Sequence, residues 1–479
     1  MKKENKKIKV LMLAAEVAPF AKVGGLGDVA GSLPPALKKA GVDVRVMMPL
    51  YGSIDRKKYK LKKIYSDLEV PSGWLMIKVN IWESKMPGTR VPIYFIDAPE
   101  YYKYDEVYVS GDNSERFLFF SLAALYCLPL IKFNPDVVHC HDSHTALVPD
   151  IIKTSNLDYI RNLKTLLTIH NFEYQGKANP LVLSTGNLHP NSLKVLSKDV
   201  ADGDVNFMVQ GVLGADLINT VSKKYAEEIL TSTYGAGLDN IIQKRKKDLF
   251  GILNGIDVDF FNASKDEYIS QNFSIRSLDK KSKNKTALQK RLGLQVDKNI
   301  PMVGLVSRLV WQKGLELITD RFGKLDCQFV FLGNGQKQYE EQLKAFAKKF
   351  PENVSANITF DLKLAQQIYA SSDIFLMPSR FEPCGLGQMI AMHYGTVPVV
   401  RATGGLADTV DDKVGFSFQK MEIMEFYNTL KEAIDLYHEK PLKWRKLQEN
   451  CMKRDFSWER SAREYVGLYK KILSNRKKV

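Results

Sequence analysis

The sequence has few cysteines and no long apolar stretch. Its five cysteines are scattered over 479 residues without a C-x-x-C pair, which argues against a disulfide framework and is typical of a reducing compartment. No run of about 18 or more apolar residues occurs, so we expect no helix that spans a membrane and no membrane partner. The apolar stretch near the N-terminus is interrupted by Glu16 and lacks a small-residue cleavage site, so it predicts a strand rather than a signal peptide.

Signatures of nucleic-acid binding are also missing. The formal charge is +15, from 69 basic and 54 acidic residues, but no zinc finger, helix-turn-helix or aromatic RNA-binding motif accompanies it. We expect no nucleic-acid partner, and the positive charge is compatible with phosphorylated ligands or with solubility alone. The basic residues are concentrated at positions 2–9, 244–247, 280–285 and 476–478.

Short apolar runs alternate with helical segments through most of the chain. They predict strands at residues 8–15, 42–48, 91–96, 137–140, 164–169, 217–221, 302–306, 327–332, 358–360, 374–377 and 397–400. Such alternation is typical of parallel βαβ winding. A polar stretch at residues 262–300 marks a domain junction. The sequence therefore predicts an α/β fold with two doubly wound domains, residues 1–258 and 259–457, and a C-terminal helix, 458–479, packed across their junction.

A glycine loop joins the predicted first strand to the first helix. Residues 22–29 read KVGGLGDV, and we expect the helix to run from an N-cap at Asp28 to Gly41. Glycines at a helix N-terminus expose backbone N–H groups to an anion, and Lys22 adds a full charge. The same glycines are compatible with close packing alone. The dinucleotide fingerprint is present only in its looser form, without the acid that binds a ribose.

Titratable side chains follow two later strands of the first half. Residues 139–145 read HCHDSHT and residues 168–176 read TIHNFEYQG. The three histidines of the first cluster suit a metal site, a hydrogen-bonding site or histidines satisfied by backbone; metal is disfavoured because the ligands would come from a strand and a loop at once. The polar and aromatic mixture of the second cluster suits sugar hydroxyls. The sequence NGID at residues 254–257 is, alone, compatible with a turn.

Charged and glycine-containing loops follow three strands of the second half. Arg308 and Lys313 lie after one strand, where both can reach a diphosphate, although a surface pair has the same pattern. Glu382 precedes two glycines and can accept hydrogen bonds from sugar or ribose hydroxyls, or cap the next helix. Residues 403–405 again place glycines at a helix start. Because open α/β sheets bind ligands at the carboxyl ends of their strands, these loops indicate a nucleotide-sugar site in a cleft between the domains.

Taken together, these motifs resemble the bacterial glycogen synthases and plant starch synthases, retaining glycosyltransferases of family 5 with the two-domain GT-B fold. The resemblance implies transfer of glucose from ADP-glucose to the non-reducing end of an α-1,4-glucan, with no cofactor and no metal. It also implies a cytoplasmic location, or the plastid stroma in a plant or alga. Two alternatives are the same reaction with UDP-glucose and a non-catalytic glucan-binding protein. The matching residues are 22–29, 141–142, 170–171, 174–176, 254–257, 307–308, 312–314, 378–386 and 403–408.

The resemblance assigns roles to individual residues. Arg308 and Lys313 are expected to hold the diphosphate and stabilise its growing charge, and Lys22 is expected to add to that from the acceptor-side first domain. Glu382 is expected to bind donor-glucose hydroxyls. Asp142 and His170 are expected to line the reaction centre. The other expected donor-binding residues are Gly24, Gly25, Asn254, Cys384, Gly385, Leu386, Thr403 and Gly404.

The chain also departs from related patterns. Many retaining GT-B enzymes have a second carboxylate eight residues after the first, but here that position is Ile390. Synthases of this family also lack it, so the departure favours them over sucrose- or lipid-glycosylating relatives. No residue resembles a covalent nucleophile, and we expect front-side attack in which the leaving phosphate takes the proton of the acceptor hydroxyl.

Overall fold

The computed structural model describes residues 7–111 and 113–474, which divide into two compact units. The first unit comprises the described residues up to Val221, Ala226–Gly255 and the segment from Trp458. The second comprises Ser222–Tyr225 and Ile256–Ser457. The division thus falls at Gly255, where the sequence predicted residue 258, and the last helix groups with the first unit. The basic residues 2–6 and 476–478 lie outside the described residues.

The first unit is built on a mainly parallel sheet. Its strands are β1 (Lys9–Leu13), β2 (Asp43–Pro49), β3 (Lys62–Ser72), β4 (Leu75–Lys85), β5 (Pro92–Asp97), β6 (Val137–His141), β7 (Lys164–Ile169), β8 (Lys177–Ala178), β9 (Val205–Asn206), β10 (Leu217–Thr220) and β11 (Leu249–Gly251). Within the described residues, nine of them pair in the order β11-β10-β7-β6-β1-β2-β5-β4-β3. The pairs β3–β4 and β4–β5 are antiparallel and the other pairs of this sheet are parallel.

Helices pack around this sheet. They are α1 (Gly25–Lys39), α2 (Pro99–Tyr102), α3 (Ser114–Tyr126), α4 (Val148–Thr154), α5 (Lys194–Asp199), α6 (Phe207–Gly214), α7 (Lys223–Glu228), which the division crosses, and α8 (Asp239–Gln243). Helix α1 contacts β2, and α3 contacts β2, β3 and β5. Strand β6 is fully buried along its length, as expected for a central parallel strand between layers of helix.

The second unit is a smaller, wholly parallel sheet with flanking helices. Its strands are β12 (Met302–Val306), β13 (Gln328–Gly333), β14 (Val354–Ile358), β15 (Ile374–Met377), β16 (Val397–Arg401) and β17 (Phe416–Phe418), paired in the order β14-β13-β12-β15-β16-β17. Its helices are α9 (Lys281–Leu292), α10 (Lys337–Lys349), α11 (Leu362–Ser371), α12 (Gly387–His393), α13 (Gly404–Thr409), α14 (Ile423–Glu439) and α15 (Pro441–Lys453). The predicted α/β class with parallel sheets is confirmed.

The last helix, α16 (Trp458–Ser474), returns to the first unit and contacts α1 and β7. Its buried side chains recur at helical spacing, as the sequence predicted: Trp458, Ala462, Tyr465, Leu468, Tyr469 and Ile472. No helix in residues 7–111 and 113–474 is long and apolar enough to cross a membrane.

The polar stretch predicted as a junction contains a packed helix instead. Helix α9 lies within it, and its residues Lys281 and Lys285 are buried. The Lys281 ammonium donates to Tyr369 O, Ala370 O, Tyr394 O and Thr396 Oγ1, and burial lowers its pKa to about 7. Lys285 pairs with Asp373 at 2.6 Å. These lysines therefore hold the second unit together and are not available to a charged partner.

Candidate functional site

The loop after β1 is organised by Glu16. The Glu16 carboxylate is buried and accepts hydrogen bonds from the backbone N–H groups of Val23 and Gly24, at 2.6 and 2.8 Å, through the same oxygen. Its other oxygen accepts from the Tyr108 hydroxyl at 2.6 Å. An internal anion thus already occupies the Gly24 amide that the sequence assigned to a donor phosphate.

This arrangement also corrects the predicted helix start. Helix α1 begins at Gly25, with Gly24 as an extended N-cap residue, so Asp28 lies in the first turn and is not the N-cap. There the positive end of the helix dipole stabilises the Asp28 carboxylate, which also pairs with Lys22 Nζ at 2.7 Å. The Lys22 side chain is 47% exposed, so its ammonium can exchange Asp28 for another anion.

Asp142 and His170 are brought together by neighbouring parallel strands. Asp142 follows β6 with a left-handed φ of 52°, and its Oδ1 accepts from the His170 backbone N–H, after β7, at 2.7 Å. Burial raises the pKa of Asp142 to about 7, although hydrogen bonds from the His170 and Asn171 amides oppose the shift. Burial lowers the pKa of His170 to about 3. At neutral pH the site therefore holds a neutral imidazole beside a carboxyl group poised to titrate.

The neighbouring histidines form a hydrogen-bonded and stacked group. His139 and His141 stack with ring centroids 4.3 Å apart, and His141 bonds His170 at 2.9 Å between ring nitrogens. His144 packs edge-on against Phe117. In the described part of the chain, no group of three or more His, Cys, Asp and Glu side chains is arranged to hold a metal ion. His139 and His141 are thus hydrogen-bonded to other side chains of the first unit, and a hydrogen-bonding site for a ligand stays a prediction.

Asn254 is a buried side chain next to Gly255, where the chain leaves the first unit. It is 5% exposed, and its Oδ1 has no hydrogen-bond partner among the described residues. Asp257, three residues later, accepts from the backbone N–H groups of Asp259 and Phe260. The second half of the NGID motif therefore forms a local turn, whereas the Asn254 oxygen retains an unused acceptor that suits a ligand donor.

Lys313 and Glu382 form a close ion pair in the second unit. Lys313 Nζ lies 2.5 Å from Glu382 Oε2, and the two side chains are 15% and 8% exposed. The Ser379 hydroxyl donates to the same carboxylate oxygen at 3.0 Å. The loops after β12 and β15 supply the two charges, so both lie at the carboxyl edge of this sheet, where open α/β sheets bind ligands.

Arg308 differs from Lys313 in lacking a carboxylate partner. It follows β12 and is exposed, and none of the described hydrogen bonds or ion pairs involves its guanidinium. A planar fork of N–H donors at a strand end can bind two phosphate oxygens at once.

Gly404 and Gly405 of the second unit allow close packing of backbone. A Cβ atom at Gly404, where φ is +45°, would lie 2.0 Å from Glu382 O, and one at Gly405 would lie 2.0 Å from Cys384 O. The Gly405 N–H donates to Glu382 O at 3.0 Å. The start of α13, which follows the buried residue Thr403, therefore packs directly against the backbone of the Glu382 loop.

The adjoining loop is turned by Gly385. Its φ is +72°, and the Gln388 side chain donates to the carbonyl oxygens of Cys384 and Gly385. Cys384 is buried, and Leu386 is the N-cap residue of α12. The loop is thus fixed by its own helix, with the backbone N–H groups of a helix start beside Glu382.

Several contacts around the candidate site were missing from the sequence-based prediction. In the sequence, Glu16 only interrupts an apolar run, and no motif points to Tyr108, which binds Glu16. The sequence signal for this contact is a carboxylate just after a strand, eight residues before a glycine. The structure also adds Ser379 and the ion pair between Arg380 and Glu316, which sequence spacing does not reveal.

Comparison with known proteins gives full-length matches. Residues 9–244 match the family described as starch synthase catalytic domain, and residues 285–451 match glycosyl transferases group 1. A glycogen synthase of Thermotoga maritima is 45% identical over 98% of this chain and 99% of its own length. A glycogen synthase of Moorella thermoacetica is 43% identical over 99% of this chain and 98% of its own.

Solved structures agree with these relatives. The catalytic domain of Arabidopsis thaliana starch synthase IV, bound to ADP and acarbose, superposes with a TM-score of 0.89 at 36% identity, over 98% of this chain and all of that one. A sucrose-phosphate synthase from Thermosynechococcus elongatus has a TM-score of 0.60 at 17% identity over the same share of each chain, a likeness of fold alone.

Proposed function

Because the chain belongs to the family of glycogen and starch synthases, we propose that it transfers glucose from ADP-glucose to the non-reducing end of an α-1,4-glucan with retention of configuration. As a member of this family it is a glucosyltransferase, and its two parallel-sheet units have the GT-B fold. The donor base, the stereochemistry and the absence of a metal requirement are the parts that we propose.

The observation that carries the choice of donor is the Arabidopsis starch synthase IV domain, which was solved with ADP. ADP is the product that ADP-glucose leaves after glucose transfer. The charged groups of the second unit support binding of a diphosphate, since Lys313 and Arg308 lie after the same strand and, among the described ion pairs, one involves Lys313 and none involves Arg308. The buried Glu382 carboxylate supports binding of sugar hydroxyls, because it can accept hydrogen bonds from them.

In the proposed reaction, the bond between glucose C1 and the diphosphate oxygen breaks as a bond forms from C1 to the acceptor hydroxyl on the same face. The proton of that hydroxyl passes to the leaving phosphate oxygen, so no enzyme nucleophile is needed. Arg308 and Lys313 stabilise the negative charge that grows on the diphosphate. Lys22 adds its positive charge to the binding of the diphosphate. To do so, it gives up its ion pair with Asp28. Asp142 and His170 line the reaction centre.

The donor is tested by measuring kcat/KM of the purified protein with a glucan primer and either ADP-glucose or UDP-glucose. We expect a clear preference for ADP-glucose; a preference for UDP-glucose would overturn the assignment. Proton NMR of the first product reports the configuration, and an α linkage is expected from the α-linked donor. Rates that are unchanged by EDTA are expected for a reaction without a metal, and a loss that Mg²⁺ restores would contradict it.

A further inference from the structure

A layer of buried polar side chains crosses three neighbouring strands of the first unit and meets helix α16. His139 of β6, Thr168 of β7 and Asn219 of β10 are all 0% exposed, and Thr168 is the register partner of Asn219. The hydroxyl groups of Tyr469 and Tyr465 reach this layer from α16. Because every member is removed from water, each donor must face an acceptor, and the direction of each hydrogen bond can be followed.

The direction is set by Asn219. Its amide nitrogen lies 3.1 Å from the Tyr465 hydroxyl and 3.4 Å from the Thr220 carbonyl oxygen, which can only accept. Its Oδ1 therefore faces Thr168 and accepts from the Thr168 hydroxyl at 2.6 Å. That hydroxyl has then used its proton, so it accepts from His139 Nε2, also at 2.6 Å.

A neutral His139 protonated at Nε2 has an acceptor at Nδ1. The Tyr469 hydroxyl lies 2.9 Å from that nitrogen and so donates to it. Burial lowers the pKa of His139 to about 3, which keeps the ring neutral. The hydrogen bonds from Asn219 and Thr168 thus set the tautomer of His139. Tyr469 fixes the plane of its ring through Nδ1, and His141 stacks on that plane.

The position of the ring proton of His141 follows from the surroundings of its two nitrogens. Its Nε2 is buried without a hydrogen-bond partner in the described part of the chain. A buried N–H without an acceptor is rarer than a buried acceptor without a donor, so the proton of His141 belongs on Nδ1. There it donates to His170 Nε2 at 2.9 Å. The remaining proton of a neutral His170 is then on Nδ1.

We propose that Tyr469 is a positioning residue that holds the ring of His139 and, through the stacked ring of His141, the orientation of His170, a neutral donor with its N–H at Nδ1. This inference rests on the proposed function for its substrate: the N–H would bind an oxygen of a sugar at the reaction centre. In this tautomer Nε2 is occupied by His141, so His170 orients the sugar and does not act as a general base.

The tautomers are measured directly by NMR of the intact protein labelled with ¹⁵N-histidine, with signals assigned from single His→Gln variants. We expect His139 protonated at Nε2 and His170 protonated at Nδ1 at pH 7. Protonation of His139 at Nδ1, or of His170 at Nε2, would overturn the proposal. Because this measurement needs no substrate, its outcome is independent of whether ADP-glucose is the donor, which the rates of the unmodified protein decide separately.

The positioning role is tested with Tyr469→Phe, which removes only the hydroxyl. We expect kcat to fall about tenfold while KM for the donor stays within about twofold, because the variant displaces a group at the reaction centre. In this variant the Nδ1 signal of His139 is expected to shift, because that nitrogen loses its hydrogen-bond donor, while Nε2 stays protonated.

The matched control is Tyr102→Phe, another buried tyrosine of the first unit, whose hydroxyl donates to Arg116 O at 2.7 Å outside the network. It is expected to lower Tm by a similar amount and to keep kcat. Equal values of kcat for the two variants would show that Tyr469 acts only in stability. If Tyr469→Phe does not fold, the tautomers of the unmodified protein decide the proposal.

Discussion

Arg308 and Lys313 follow the same strand but stand in different electrostatic surroundings. Lys313 is part of a nearly buried ion pair with Glu382, so its removal leaves a desolvated carboxylate and mixes a cost in stability with any loss of activity. Arg308 is exposed and uses none of the described ion pairs. Arg308 is therefore the residue at which the proposed role in catalysis can be separated from folding.

Arg308→Ala is expected to lower kcat by about 100- to 1,000-fold, because a donor to the leaving diphosphate is lost. Tm should not change, since none of the described hydrogen bonds or ion pairs involves this exposed side chain. Steady-state rates and calorimetry measure the two effects. Arg276→Ala, at another exposed arginine of the second unit, is the control and should leave both unchanged. Activity of Arg308→Ala near that of the control would remove the residue from the mechanism.

Asp142 predicts a dependence of stability on pH. Its pKa rises from the ordinary 3.8 to about 7 on folding, so between these values the folded state holds a proton that the unfolded state releases. Rising pH in this window therefore favours unfolding. Asp142→Asn cannot titrate, so the unmodified protein should lose stability relative to this variant between about pH 4 and pH 7. Urea unfolding at several pH values measures the difference.

Asp150 provides the matched control for Asp142. It is 2% exposed, and burial raises its pKa to about 7 as well, but it lies on α4 outside the candidate site. Asp150→Asn should show the same trend of stability with pH and an unchanged rate of glucose transfer, whereas Asp142→Asn should lower kcat. A stability difference that does not vary with pH would contradict the shifted pKa of Asp142.

Among the elements, the turn before α13 and the Glu382 loop approach each other too closely for a side chain. Gly404→Ala would place a methyl group against Glu382 O at a positive φ, so we expect a loss of about 2–3 kcal/mol of unfolding free energy. Because the displaced loop carries Glu382, KM for the donor should rise. Denaturant unfolding and initial rates are the measurements.

Gly467→Ala is the control for this glycine effect. Gly467 lies in α16, and nothing lies within 4 Å of a Cβ atom built there. Alanine favours a helix by about 1 kcal/mol over glycine, so this variant should be slightly more stable and equally active. Destabilisation of both variants to the same extent would show that the close approach at Gly404 is not the cause.

The elements that sequence patterns predicted well are those with a continuous apolar run. Strands β7, β12 and β15 have the predicted bounds because each is buried between helices. The β3–β4 hairpin was missed because the first residues of β3 are exposed and polar, so no apolar run marks them. Helix α9 was predicted as a domain junction because lysines in a sequence are expected to be exposed to solvent, whereas Lys281 and Lys285 are buried.

For the candidate site, the positions of side chains at strand ends were predictable from the sequence, whereas their contacts and protons were not. Lys313, Glu382, Asp142 and His170 follow strands, where the α/β architecture concentrates function, and each lies at such a strand end. The occupant of the Gly24 amide was not predictable, because Glu16 reaches it through folding of the loop and not through any repeat in the sequence. The proton on each histidine likewise depends on Asn219 and on α16, which are distant in the chain.

At the scale of the whole molecule, the chain leaves the first unit at Gly255 and returns to it at Trp458. Deletion of residues 458–479 would leave His139 without the Tyr469 hydroxyl and expose the apolar groups that α16 covers. We expect faster amide hydrogen exchange in β6 and β7 and little change in β12 and β15, measured peptide by peptide. Equal loss of protection in both units would contradict the assignment of α16 to the first.

The return of α16 also sets an order of events during synthesis. The hydrogen bond from Ser461 to Leu253 O closes a loop of 208 residues, nearly all of it the second unit. At about 5–20 residues per second, the ribosome needs roughly 10–40 s to make that loop. For this time the nascent first unit has its sheet residues but not the tyrosines that bond His139 and Asn219, so its buried polar layer is completed only when translation reaches its last helix.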